Sequence, residues 1–120
     1  MTTNVLSLSN AVGTIELVAL VDIVDGKIFV KKNWISLDFY KVNLEKGKTK
    51  HIDSWEASDF CIRFLKQAHK CYKMGKDFSK LLDKHIAEEE KNGDKVRKVL
   101  EENEEFLSEL YLEIKKIKLN

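Results

Sequence analysis

Apolar and polar residues alternate with two periods along the chain, close to two in its first half and between three and four in its second. Leu6 and Leu8 alternate with Ser7 and Ser9 and predict a short first strand. Thr14 to Val24 is rich in Val, Ile and Leu and reads as a strand. It ends at Asp25-Gly26, a pair that favours a tight hairpin because both residues tolerate positive φ. Lys27 to Asn33 and Trp34 to Leu44 predict further strands, the latter from Ile35, Leu37 and Phe39 alternating with Ser36, Asp38 and Tyr40. Glu45-Lys46-Gly47-Lys48 is a second turn signal, and Thr49 to Ile52 predicts a short returning strand that closes an antiparallel sheet over 14–52.

The period then changes. Asp53 or Ser54 offers a capping oxygen, and Glu56 completes a capping-box pattern, so a helix is predicted from Ser54 or Trp55. Its apolar residues Ala57, Phe60, Cys61, Phe64, Leu65, Ala68 and Tyr72 form one stripe fit to cover a sheet, and Gly75 marks its end. A second helix from about Asp77 carries Phe78, Leu81, Leu82, His85 and Ile86 on one face. It runs into the solvated stretch Glu88 to Lys91 and breaks at Asn92-Gly93. Asp94 is expected to cap a last helix over about 94–118. There Val96, Leu100, Asn103, Leu107, Leu110, Ile114 and Ile117 recur at alternating spacings of four and three, a heptad seam with one polar position. The seam from Leu100 to Ile117 predicts association into a homodimer. Val99, Phe106 and Tyr111 widen the stripe, and a wide stripe equally suits packing on the chain's own domain. The pattern as a whole predicts an α+β fold of about four antiparallel strands covered by a helix and followed by further helices, with 54–120 forming the helical part.

Length and composition narrow this picture. The 120 residues fit one domain, and 43% hydrophobic with 34% charged residues is the balance of a folded globular chain. Cys61 and Cys71 are ten residues apart in a predicted helix, about 15 Å along its axis and beyond disulfide reach, so both are expected as free thiols. Met1 to Asn10 lacks a basic start followed by an apolar block, and the longest apolar run, through Val24, is cut by Asp22. No secretory signal and no membrane association are therefore expected, and a reducing cytoplasm is the expected location.

The net charge of +1 conceals a polarised distribution. Lys27 to Lys50 holds seven lysines against Asp38 and Glu45, whereas Leu81 to Asn120 holds eight basic against eleven acidic residues. The middle of the chain is basic and its tail acidic.

Chemistry-bearing motifs are scarce. The five glycines form no nucleophile elbow, phosphate loop or dinucleotide fingerprint, and the acidic runs sit on solvated helix faces, so no catalytic residues and no enzymatic activity are expected. His51, His69 and His85 lie in separate elements without metal-ligand spacing. Cys61, His69 and Cys71 diverge around one helix with no paired CxxC, so neither a metal nor a cofactor is expected.

What stands out is a lysine-rich set interleaved with aromatics: Lys27, Phe29, Lys31, Lys32, Trp34, Phe39, Tyr40, Lys41, Lys46, Lys48 and Lys50. Lysines neutralise phosphates with counterion release while flat rings stack on exposed bases, which is the chemistry of single-stranded nucleic-acid binding. Alternation places Lys27, Phe29 and Lys31 on one face. With the opposite parity beyond Asn33, Trp34 and Tyr40 join them, while Phe39 and Lys41 face the other way. The expected binding residues are thus Lys27, Phe29, Lys31, Lys32, Trp34, Tyr40, Lys48 and Lys50. The same aromatics equally suit a core, with the lysines as solvent cover. Two alternatives remain. One is a phage-like protein-interaction module or inhibitor whose polarised charge steers a protein partner. The other is a protein that captures a small anionic nucleotide with Arg63 or Arg97 as anchor.

The order of strands, the Asp25-Gly26-Lys27-Ile28 hairpin, the covering helix and the C-terminal association helix resemble the small single-stranded DNA-binding proteins of rod-shaped archaeal viruses and some hyperthermophilic archaea. The resemblance spans about residues 15–75. It implies a dimer that holds single strands on a basic, aromatic sheet, with binding roles for Lys31, Lys32, Trp34 and Tyr40.

Overall fold

The computed structural model describes residues 3–87 and 91–119, with the side chains of Thr3, Lys32, Asn33, Lys118 and Leu119 outside the description. The acidic stretch Glu88 to Glu90 lies outside the described residues. Strands β1 (Thr3–Ser9), β2 (Ile15–Val24), β3 (Lys27–Asn43) and β4 (Lys48–Trp55) form an antiparallel meander in sequence order. Helices α1 (Ser58–Met74), α2 (Phe78–Ile86), α3 (Gly93–Glu101) and α4 (Glu104–Lys115) follow. A two-residue strand, β5 (Lys118–Leu119), then returns to lie parallel to β3 beside Phe29 and Val30. The fold is α+β, with strands preceding helices as the change of period predicts.

The β2–β3 turn shows why Asp25-Gly26 is legible in sequence. Asp25 has φ 51° and Gly26 φ 75°, and a pair of positive φ values matches the twist of the flanking strands. The two segments predicted after this turn are one continuous strand with a bulge. Ala19 pairs with Ile35 and Val21 with Val30, so Leu20 alone stands against Lys31 to Trp34. The irregularity reverses the alternation, and both Val30 and Ile35 consequently enter the core.

The sheet runs three residues beyond the predicted Ile52, and the capping box at Asp53, Ser54 and Glu56 is not formed. Asp53 and Trp55 are strand residues paired with Phe39 and Leu37, and the N-cap of α1 is Ala57, without a side-chain cap bond. Tertiary burial overrides the local signal. Trp55 meets Phe39, Phe60 and Phe64 edge-on with ring centroids 5.0, 5.3 and 5.2 Å away, an arrangement open to it only while it stays on the strand. Ser58 Oγ in the first turn of α1 accepts from Ile35 N at 2.9 Å, serving a β3 edge group beyond the end of β4. Gly75 ends α1 in the left-handed region, as expected.

The predicted last helix over 94–118 is two helices. The chain breaks between Glu101 and Glu104, where Asn103 occupies the N-cap position of α4 and its Nδ2 donates to Val99 O at 2.7 Å. Asp94 is not a cap either, because α3 begins at Gly93 with Asn92 preceding it. The seam residues Leu100, Leu107, Leu110 and Ile114 are at most 4% exposed within the single chain, Asn103 is tied to Asn10, and Ile117 packs at the edge of the same core. The wide stripe serves the chain's own core against the inner sheet residues and α1, rather than presenting an exposed seam. Among the described residues, no helix is long and apolar enough to cross a membrane.

Candidate nucleic-acid interface

The bulge in β3 decides which side chains share the face opposite the helices. Val30, Ile35, Leu37 and Phe39 point inward and are fully buried, so Phe29, Lys31, Trp34 and Tyr40 point to the open face. The predicted aromatic grouping is therefore present, and Trp34 is 38% exposed. Phe39 belongs to the core. The face is not basic, however. By alternation β2 contributes Glu16 and Asp22 to it, opposite Asp38 and Phe29 of β3. Three carboxylates thus accompany Lys31, and the side chain of Lys32 lies outside the description. Glu16 accepts a hydrogen bond from Ser7 Oγ at 2.5 Å and lies near enough to the Tyr40 hydroxyl to act on its titration. Partial burial, then the charges of Asp38 and Glu16, raise the Tyr40 phenol above its ordinary pKa.

By the same alternation Lys27, at the start of β3, shares that face with Phe29 and Lys31, and it also borders a groove of about 470 Å³ lined by Leu6, Leu8, Ile28 and Ile117. The other predicted lysines are elsewhere. Lys48 and Lys50 sit at the far end of the same strand's hairpin, paired with Asn43 and Lys41. By alternation Lys41, Lys48 and Lys50 lean to the helix side. With Lys46 in the turn, the β3–β4 hairpin carries four lysines against one carboxylate, Glu45, between Lys41 and Lys50. Among the described residues none of these lysines is in an ion pair. Asn43 Oδ1 accepts from Lys46 N at 3.1 Å and Gly47 takes φ 61°, which fixes the turn that displays them. The structure therefore separates the predicted set into an aromatic sheet face and a basic hairpin end.

The two parts meet at one cluster. The β3–β4 register shifts so that Phe39 faces Asp53 while Tyr40 faces His51, placing His51, Ser54 and Asp38 together on the open face. The Tyr40 and His51 rings meet edge-on at 5.4 Å. His51 Nε2 lies 2.7 Å from Ser54 Oγ, and Ser54 Oγ donates to Asp38 Oδ1. These are the residue types of a nucleophilic triad in the wrong order. The serine stands between imidazole and carboxylate and gives its proton to Asp38, so His51 is not placed to remove that proton and be held by the acid. Ser54 escaped the sequence reading because its capping pattern assigned it to a helix, and strict alternation would set it on the face opposite His51; the register shift beside Ile52 brings the two together.

The other reactive groups are engaged in packing. Burial pushes the Cys61 thiol up to about 12, and its Sγ donates to Trp55 O at 3.0 Å. Cys71 is raised for the same cause, and both cysteines are free thiols. His69 Nδ1 lies 2.7 Å from Ser108 Oγ, so Cys61 and His69 have separate partners. His85 is wedged against Phe60 and Phe64. Of the two candidate anchors for a nucleotide, Arg97 is committed to Asp83 and Glu101, while Arg63 stays exposed on α1. No protein-family model matches the chain, and no curated protein or solved structure matches it either.

Proposed function

We propose that the protein is a non-enzymatic binder of single-stranded nucleic acid whose phosphate contacts are made by the β3–β4 hairpin. The carrying observation is the hairpin itself: Lys41, Lys46, Lys48 and Lys50 without ion-pair partners among the described residues, joined through His51 and Tyr40 to the aromatic face that holds Trp34. Unpaired lysines release counterions when they meet phosphates, and adjacent rings accept bases without regard to sequence. The resemblance of the strand order and the Asp25-Gly26 hairpin to the archaeal single-stranded DNA-binding proteins belongs to the same proposal. Association through Leu100 to Ile117 is left out of it, because those side chains are used within the core.

Fluorescence anisotropy of a labelled thymidine oligonucleotide tests this reading. Lys46→Glu/Lys48→Glu is expected to lose at least about tenfold in affinity, and Lys115→Glu/Lys116→Glu much less. Equal losses, or no binding by the parent protein, would refute it. One observation favours a second reading, a protein partner on the open sheet face. That face exposes Val5 (63%) and Trp34 beside Glu16, Asp22 and Asp38, a mixture better suited to a protein than to a polyanion. A stable complex lost in Val5→Asp but retained in Lys46→Glu/Lys48→Glu would favour this alternative.

A further inference from the structure

We propose that the cleft between the β3–β4 hairpin and the start of α3 is a binding site for a phosphate group carrying two or more charges, a phosphomonoester or an oligophosphate. The cleft is a cavity of about 310 Å³ lined by Lys41, Lys50, Lys91 and Lys95, with His51 and Asn92 completing its polar wall. Lys41 and Lys50 are direct partners in the β3–β4 register, so their side chains leave neighbouring strands on the same face. Lys91 and Lys95 come from the other wall, on either side of the first residue of α3. Four lysines from two separate parts of the chain thus line one concavity. Among the described residues none of them is in an ion pair and no carboxylate lines the cavity. Asp94, in the first turn of α3, is outside the lining.

The Asn92 side chain adds a second feature. It sits at the N-cap position of α3 and makes no cap bond, while its Nδ2 donates to Ile52 O at 3.1 Å. That bond fastens the start of α3 to β4 and holds the two walls of the cleft together. Among the described residues no side chain caps the first-turn N–H groups of α3, at the helix end that favours negative charge.

The chemistry selects the ligand class. Ammonium groups crowded into one cleft repel one another, and low-dielectric walls concentrate their field, so a multiply charged anion relieves more of that repulsion than a single charge. Lysines act as rotatable point charges. They suit the tetrahedral oxygens of phosphate, whereas a planar carboxylate is matched better by the guanidinium fork, which the lining lacks. An internal phosphodiester brings one charge; a terminal phosphate or a pyrophosphate brings more. The site does not depend on the nucleic-acid reading, since either a free phosphorylated compound or the phosphorylated end of a strand carries the same chemistry.

The experiment is an amide-resonance titration of the full chain with sodium pyrophosphate at low ionic strength. Saturating shifts at Asn92, Gly93 and Lys95 are expected. Affinity should fall about tenfold or more in Lys50→Ala/Lys95→Ala and little in Lys66→Ala/Lys70→Ala on α1, with thermal midpoints showing that both variants fold. A parallel arm compares one oligonucleotide with and without a 5′-phosphate. Tighter binding of the phosphorylated strand, lost in Lys50→Ala/Lys95→Ala, supports the site with a strand end as its source. Pyrophosphate binding without that preference supports it with a free compound as source, even if the protein binds no oligonucleotide at all. Absence of saturable shifts at the start of α3, or pyrophosphate affinity unchanged in Lys50→Ala/Lys95→Ala, would overturn the proposal.

Discussion

Asn10 and Asn103, 93 positions apart in sequence, are joined by a hydrogen bond of 2.9 Å from Asn10 Nδ2 to Asn103 Oδ1. Asn10 Oδ1 meanwhile accepts from Thr14 N at 2.9 Å and Ile15 N at 3.2 Å, and Asn103 Nδ2 donates to Val99 O. One polar pair therefore shapes the β1–β2 connection, marks the break between α3 and α4, and ties the two together.

This pairing reverses what a heptad seam predicts for Asn103. In an association seam a polar residue costs stability, so Asn103→Leu would stabilise the assembly. Here the substitution removes the partner of a half-buried amide and the acceptor's local support. It is expected to destabilise the chain by about 1–3 kcal/mol in urea unfolding. A gain in stability that depends on protein concentration would contradict this account.

The helix caps offer a paired comparison. Asp77 Oδ1 accepts from Ser79 N at 3.0 Å and Lys80 N at 3.4 Å, so Asp77→Ala should cost about 1 kcal/mol. Glu56 precedes α1 and takes part in no cap bond, and Glu56→Ala should stay within about 0.5 kcal/mol of the parent. Equal losses in chemical denaturation would show that the capping box of the sequence forms after all.

His85 predicts an acid-side loss of stability. Burial first, then the charges of Lys84 and Arg63, lower its pKa in the folded state. The unfolded chain then binds the proton more readily, so the stabilising contribution is complete above the ordinary histidine pKa of about 6.5 and is lost as pH falls from there through the lowered folded value. In His85→Gln the urea midpoint should change less between neutral and mildly acidic pH than in the parent. An identical dependence in the two proteins would rule out His85 as its source.

The thiols make a kinetic test of packing. With its pKa near 12, Cys61 is ionised to about one part in ten thousand at pH 8, and only the thiolate attacks a disulfide reagent. In a Cys71→Ser variant the native protein should react orders of magnitude more slowly than the same chain in denaturant. Comparable rates would mean that the contact between α1 and the sheet opens readily.

Local chemistry made much of the fold legible. Asp25-Gly26, Gly47 and Gly75 each sit at a positive-φ turn or helix end, and the alternation through Leu37 and Phe39 gives the inner face of β3 directly. Where long-range packing competes with a local signal, the signal fails. Trp55 stays on β4 because three aromatic partners outweigh a capping box, and the seam of Leu100 to Ile114 faces its own core because α1 and the sheet are there to receive it. The expected aromatic grouping of Phe29, Trp34 and Tyr40 follows from giving opposite parities to the segments before and after Asn33, although the bulge in one continuous strand that produces them is not predicted. The distribution of charge does not follow: the Asp25-Gly26 turn sets Asp22 opposite Phe29, which a count of lysines along one segment passes over, and Glu16 meets Asp38 only beyond the bulge, whose size no local pattern specifies. The lysines of the phosphate cleft converge from segments some fifty residues apart and share no period.

The salt dependence of oligonucleotide binding tests the central claim most directly. Each lysine that neutralises a phosphate of a single strand contributes about −0.7 to the slope of log affinity against log salt concentration. If the β3–β4 hairpin makes the backbone contacts, Lys46→Gln/Lys48→Gln should flatten that slope by about 1.4, while Lys115→Gln/Lys116→Gln leaves it unchanged. A slope that is the same in the parent and both variants, or one near zero in the parent, would contradict the assignment of the hairpin as the nucleic-acid interface.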